Sequence, residues 1–162
     1  MRGAANKMLS LSEREKARGV IAFSTGNHGR AVAYVARQSG IATVICLSER
    51  VPQYRVTAMK QLGAEVAQYG KSQDEAYEHA LALQKEHGFT MVSPFDDPFI
   101  IAGQGTIGLE ILEELPAVDT VIVPLSGGGL ISGIAFAMKT ADPIDTSHWR
   151  VYGARSRDVS QH

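Results

Sequence analysis

The chain has 162 residues, 44% hydrophobic and 20% charged, apolar enough to build a core in one domain or slightly more, which excludes a disordered chain. Sixteen Lys and Arg balance seventeen Asp and Glu at a pI near 6.5 without any basic cluster, which argues against nucleic acid or an anionic membrane surface as partner. The single cysteine, Cys46, excludes an intrachain disulfide, and no apolar run approaches the roughly 20 residues that span a bilayer, so a cytoplasmic protein is expected.

Arg2 to Met8 is helix-compatible but begins without a cap or a preceding turn. Ser12-Glu-Arg-Glu15 has capping-box spacing and opens a short helix ending near Arg18-Gly19. Val20 to Phe23 then reads as a short apolar strand, followed directly by Ser24-Thr25-Gly26-Asn27-His28-Gly29. A helix is expected from Arg30 to Gln38, with Ala31, Tyr34, Val35 and Gln38 on one face. A helix start offering hydroxyls, an amide and free N–H groups is a natural carboxylate receptor. The plainer alternative is that Ser24 or Asn27 only caps the helix and His28 lies on the surface.

Units of similar size then alternate, which is the mark of βαβ construction with parallel strands. Residues 42–47 read as strand, 52–62 as helix closed by Gly63, and 65–69 as strand. Ser72-Gln-Asp-Glu75 is a second capping box, its helix stopping before Gly88, and 89–92 form a fourth strand. Cys46 falls in an apolar strand and is expected to be a buried, inert thiol. Lys71, Glu78, Lys85 and Glu86 suit a solvated face. His79 and His87 have no partner at metal-ligand spacing and are expected at the surface, so no metal site is expected there.

Ser93-Pro-Phe-Asp-Asp-Pro98 is a turn-rich break that marks a domain crossing. Ile100 to Glu110 reads as a helix in which Gly103, Gly105 and Gly108 leave room for a close neighbour, and Leu115-Pro116 ends it. A strand from Asp119 to Val123 leads into Pro124-Leu-Ser126-Gly127-Gly128-Gly129-Leu130. Glycines there let several N–H groups point at one spot, and the next helix adds partial positive charge, which is the layout of a phosphate cradle. A polar connection (141–148), a strand centred on Val151 and Tyr152, and a polar 156–162 complete the chain.

Taken in order, Arg2-Gly3-Ala4, Ser24 to Gly29, Ala102-Gly103-Gln104-Gly105-Thr106-Ile107 and Pro124 to Leu130 resemble the serine/threonine dehydratase family. These are pyridoxal phosphate (PLP) enzymes of fold type II, the tryptophan synthase β-like class, and the resemblance runs from Arg2 to about Tyr152. Within the family, the chain is most similar to threonine dehydratase and hydroxyectoine-utilisation dehydratase, the latter on Gly29 to Tyr34 and Leu47 to Pro52. The resemblance implies an α/β fold of parallel open sheets, with a small domain over residues 20–98, an incomplete large domain made of 1–19 and 99–162, and pyridoxal 5'-phosphate as cofactor. It implies that Asn27 binds the cofactor's phenolic oxygen and that Ser126, Gly127, Gly128, Gly129 and Leu130 cradle its phosphate. Ser24, Thr25, Gly26 and His28 would hold the substrate carboxylate.

The reaction so implied is ammonia-lyase (dehydratase) chemistry: a small hydroxy amino acid such as threonine or serine loses its α-proton and β-hydroxyl and yields a 2-oxo acid and ammonia. The family's Schiff-base lysine stands two residues before the arginine matched by Arg2, a position just before Met1. Met1 is therefore read as an internal methionine of a longer protein, and the chain by itself is expected to be inactive. Lys7, Lys16, Lys60, Lys71, Lys85 and Lys139 are read as surface or non-equivalent charges, not substitutes. Thr25 stands where racemase-like members carry an acid or base serine, which makes it a candidate acid/base and favours elimination over racemisation. Arg155 stands where those members carry a metal-binding Glu, so no such metal site is expected. An incomplete large domain would expose apolar surface and favour a homo-oligomer. Two alternatives of other kinds are a non-catalytic anion- or PLP-binding fragment and a β-replacement synthase on the same fold.

Overall fold

The computed structural model describes residues 1–141 and 150–155. Residues 142–149 and 156–162, and the metal reading that rests on the Arg155 side chain, lie outside what is described. Met1 and Gly3–Pro94 make one compact unit, and Arg2 with the residues from Phe95 onward makes a second.

The first unit holds α1 (Arg2–Leu9, less Arg2), α2 (Glu13–Arg18), β1 (Val20–Phe23), α3 (Asn27–Ser39), β2 (Thr43–Leu47), α4 (Gln53–Gln61), β3 (Glu65–Gln68), α5 (Gln73–His87) and β4 (Thr90–Met91). Its four strands are all parallel in the order β3-β2-β1-β4. The two central strands, β1 and β2, are buried at every residue, which explains their unbroken apolar runs. Right-handed crossovers from β1 to β2 to β3 put α3 and α4 on one face of the sheet. The return from β3 to β4 reverses direction and puts α5 on the other. That reversal makes the gap between the carboxyl ends of β1 and β4 a topological switch point, where open α/β sheets bind ligands.

Local signals explain most boundaries. Ser12 and Glu15 form the full capping box at α2. At α5, Ser72 Oγ accepts from the Glu75 N–H, while the Glu75 carboxylate reaches further back, to the Lys71 N–H. Helix α3 departs from expectation: it begins at Asn27, three residues before Arg30. Its buried face is Ala31, Val32, Ala33, Val35 and Ala36, while Tyr34 and Gln38 are exposed. Small side chains line that face because the helix lies close on the sheet; a Cβ at Gly29 would come within 3.2 Å of the Ile45 side chain. His79 is half-buried, stacked on Tyr69 with ring centroids 4.4 Å apart.

The second unit holds α6 (Pro98–Glu114), β5 (Thr120–Leu125), α7 (Gly129–Ala141) and β6 (Arg150–Arg155). Asp97 caps α6 through its carboxylate, which accepts from the N–H groups of Phe99 and Ile100. Strands β5 and β6 are parallel, and Val123, Ile134 and Met138 are the buried centre of the unit's core. The glycines of α6 do admit a close neighbour, which is α7. A Cβ on Gly133 would lie 2.3 Å from the Ile101 carbonyl oxygen, and one on Gly108 2.8 Å from that of Ile134. An apolar groove of 610 Å³ runs over these two helices, flanked by Leu109 and Phe136. Ile122 and Tyr152, paired across β5 and β6, are both exposed.

Candidate functional site

In the first unit, β1 delivers the chain to the switch point and Ser24 to Gly26 turn it into α3. Ser24 is buried, and its Oγ accepts the Gly26 N–H at 3.3 Å, so it shapes the turn rather than capping the helix. Asn27 does not cap it either: α3 has no side-chain cap, and its first internal bond runs from the Arg30 N–H to the Gly26 carbonyl. The N–H groups of Asn27, His28 and Gly29 are left without an acceptor among the described residues. Unpaired donors at the positive end of a thirteen-residue helix are of the kind that can receive an anion.

His28 is not a surface residue. Its ring lies 2.9 Å from the Val92 carbonyl at the end of β4, and because a carbonyl can only accept, Nε2 carries the proton. Burial pushes its pKa below the ordinary value, outweighing the opposing effect of the Val92 bond. The imidazole is therefore neutral and held to the scaffold through Nε2, and the backbone N–H of His28 is left without an acceptor among the described residues. Asn27 is exposed and lines a 240 Å³ hollow with Met1, Arg30, Ala31, Tyr34 and Leu62. One contributor was not visible from the sequence: Arg55, on α4, donates from Nη1 to the Thr25 carbonyl at 3.0 Å. Only the fold, which lays α4 beside the β1–α3 turn, brings these two residues together.

In the second unit, β5 ends at Leu125 and α7 begins at Gly129, so Ser126, Gly127 and Gly128 form the turn and Gly129 and Leu130 start the helix. Each glycine is required for its own reason. Gly128 adopts φ +93°, in the left-handed region. Gly127 and Gly129 lie against Phe95: a Cβ would fall 2.0 Å from its ring at Gly127 and 2.8 Å from its Cα at Gly129. Phe95 gave no signal in sequence, since it stands some thirty residues away from the turn it supports. Within the same unit Arg2 donates to Thr106 Oγ1 at 3.0 Å and pairs with Glu110, joining the first and third sequence motifs.

Each unit thus carries a strand-to-helix turn with free backbone donors, a chemistry that can receive a phosphate or a carboxylate. The family model described as pyridoxal-phosphate dependent enzyme matches residues 1–161. The chain belongs to this family.

This PLP-family chain is 50% identical to L-threonine ammonia-lyase of Thermotoga maritima over 143 residues, 88% of the chain but 36% of that relative. Among solved structures, it is similar to the processed form of threonine deaminase isoform 2 from Solanum lycopersicum, with a TM-score of 0.87 and 40% identity over 95% of the chain and 41% of the other. Maize serine racemase is similar at a TM-score of 0.87 and 37% identity, covering 94% and 45%. The chain thus spans less than half the length of these relatives. The fold is that of the type II PLP enzymes, and pyridoxal 5'-phosphate is the family's cofactor. The second unit's turn fits the phosphate of that group: nothing stands within 4 Å of the Gly128 Cβ position, and the N–H groups of Gly129, Leu130 and Ile131 have no acceptor among the described residues. No helix among the described residues is long and apolar enough to cross a membrane.

Proposed function

We propose that the protein to which this chain belongs is a PLP-dependent ammonia-lyase that converts threonine- or serine-like hydroxy amino acids to 2-oxo acids and ammonia. The observation that carries this reading is the uncapped start of α3 at the switch point, with three unpaired N–H groups beside two hydroxyl residues. It suits the α-carboxylate that such substrates share, and the similarity to an L-threonine ammonia-lyase and a threonine deaminase points the same way. When bound, pyridoxal phosphate supplies the electron sink for α-proton loss and β-elimination.

In this reading Ser126, Gly127, Gly128, Gly129 and Leu130 hold the cofactor's phosphate, and Asn27 binds its phenolic oxygen. Ser24, Thr25, Gly26 and His28 orient the substrate carboxylate through backbone donors and hydroxyls, with Thr25 as candidate acid or base. In the whole protein residues 20–98 belong to a small domain and 1–19 with 99–162 to a larger one, whereas within this chain α1, less Arg2, and α2 fall in the first unit and residues 95–98 in the second. The protein is cytoplasmic and a homo-oligomer, an association that the exposed Leu109, Ile122 and Phe136 favour.

The test is to assay the whole protein with pyridoxal phosphate and L-threonine. Equal amounts of 2-oxo acid and ammonia support the reading. Conversion only when sulfide is present, with sulfur in the product, overturns it in favour of β-replacement.

A further inference from the structure

Arg55 stands out among the basic residues because its partner is a backbone carbonyl of the β1–α3 turn. Nη1 donates to Thr25 O at 3.0 Å, Nε donates to Tyr54 Oη at 3.1 Å, and the guanidinium carbon lies 5.7 Å from the Tyr54 ring centroid. No carboxylate pairs with it among the described residues.

The Thr25 carbonyl is the acceptor that one more helical turn would use. In a regular α-helix the N–H of residue i bonds the carbonyl of residue i−4, so the Gly29 N–H would bond Thr25 O. The next bond in that series, from Arg30 N–H to Gly26 O, is made at 3.2 Å. The bond from Gly29 is not, although Gly29 is buried and an unpaired buried amide is costly. Thr25 O is turned to Arg55 instead. The same cation lies over the turn, 3.8 Å from where a Gly26 Cβ would be.

We propose that Arg55 is a positioning residue of the substrate-carboxylate receptor: by holding the Thr25 carbonyl away from Gly29, it keeps the Gly29 amide free for the ligand beside those of Asn27 and His28. This rests on the carboxylate reading of the turn given above. Only one Nη1 bond is involved, so a lysine can replace it, whereas an isosteric apolar side chain cannot. Arg55 is half-buried on a surface helix, and Arg55→Met keeps the stem that packs there.

The test uses the isotopically labelled whole protein, with amide exchange and L-threonine titration read at Asn27, His28 and Gly29 in wild type, Arg55→Met and Arg55→Lys. The proposal expects Gly29 to be weakly protected in wild type and about tenfold better protected in Arg55→Met, as Thr25 O swings back to accept it. Threonine-induced shifts at the three amides should weaken at least fivefold in Arg55→Met and recover in Arg55→Lys. Unchanged Gly29 protection in Arg55→Met overturns the proposal whatever threonine does. Changed protection with no response of the wild-type amides to threonine overturns the carboxylate reading, and leaves Arg55 as a strut of the turn alone.

Discussion

His28 and Val92 are tied across the carboxyl ends of β1 and β4 by a 2.9 Å hydrogen bond from a neutral, half-buried imidazole. The bond spans the switch point and adds a side-chain tie where the main-chain pairing of β1 and β4 ends.

The first prediction follows from that imidazole. Its folded pKa is depressed by burial, whereas the unfolded chain titrates near 6.5. Below that value the unfolded chain binds a proton that the folded unit refuses, so stability falls as pH drops below 6.5 and returns as pH rises above it. Urea midpoints measured at about pH 5.5 and about pH 7.5 should differ in wild type, and the difference should shrink in His28→Gln. An equal difference in both proteins would assign the effect to other groups.

The three glycines of the β5–α7 turn should be separable by a rescue experiment. Gly127→Ala drives its Cβ into the Phe95 ring, and Gly129→Ala drives its own into the Phe95 backbone. Each should weaken pyridoxal phosphate binding at least about tenfold in equilibrium dialysis, a loss of about 1.4 kcal/mol. Adding Phe95→Ala should restore Gly127→Ala and leave Gly129→Ala impaired, because trimming the ring cannot move the Cα.

Gly133→Ala should destabilise the second unit. The added methyl would sit 2.3 Å from Ile101 O and 2.8 Å from Gly105 N, both backbone atoms of α6 that cannot yield by rotating a side chain. Overpacking of this kind costs about 1–3 kcal/mol and should lower Tm by roughly 2–10 °C in a thermal melt. Unchanged melting would mean that α6 and α7 pack less closely than described.

Cys46 should be inert in the native chain. Desolvation, with a smaller contribution from Glu65, pushes its thiol up to about 11, and its side chain is buried on the central strand β2. A disulfide reagent at about pH 8 should label it only after denaturant is added. Rapid native labelling would reveal local opening of the sheet.

Local chemistry, read along the chain, was enough to place β1 to the residue, the Ser12–Glu15 box, and the Gly128 turn before α7. Such features depend on neighbours within a few positions: an unbroken apolar run, a hydroxyl three residues before a carboxylate, a run of glycines between a strand and a helix. Strand alternation likewise implied a parallel sheet, and four ordered motifs implied the family. What the sequence left undetermined is the identity of long-range partners. Tyr34 satisfies helical spacing as well as Val32 does, but only the closeness of α3 to the sheet decides that small residues face inward. Arg55 meets Thr25, His28 meets Val92, and Phe95 meets Gly127 because tertiary packing joins segments about thirty to sixty residues apart. Hydrogen bonds and steric contacts act over a few ångströms, so spacing along the chain carries no record of them until the fold brings the atoms together.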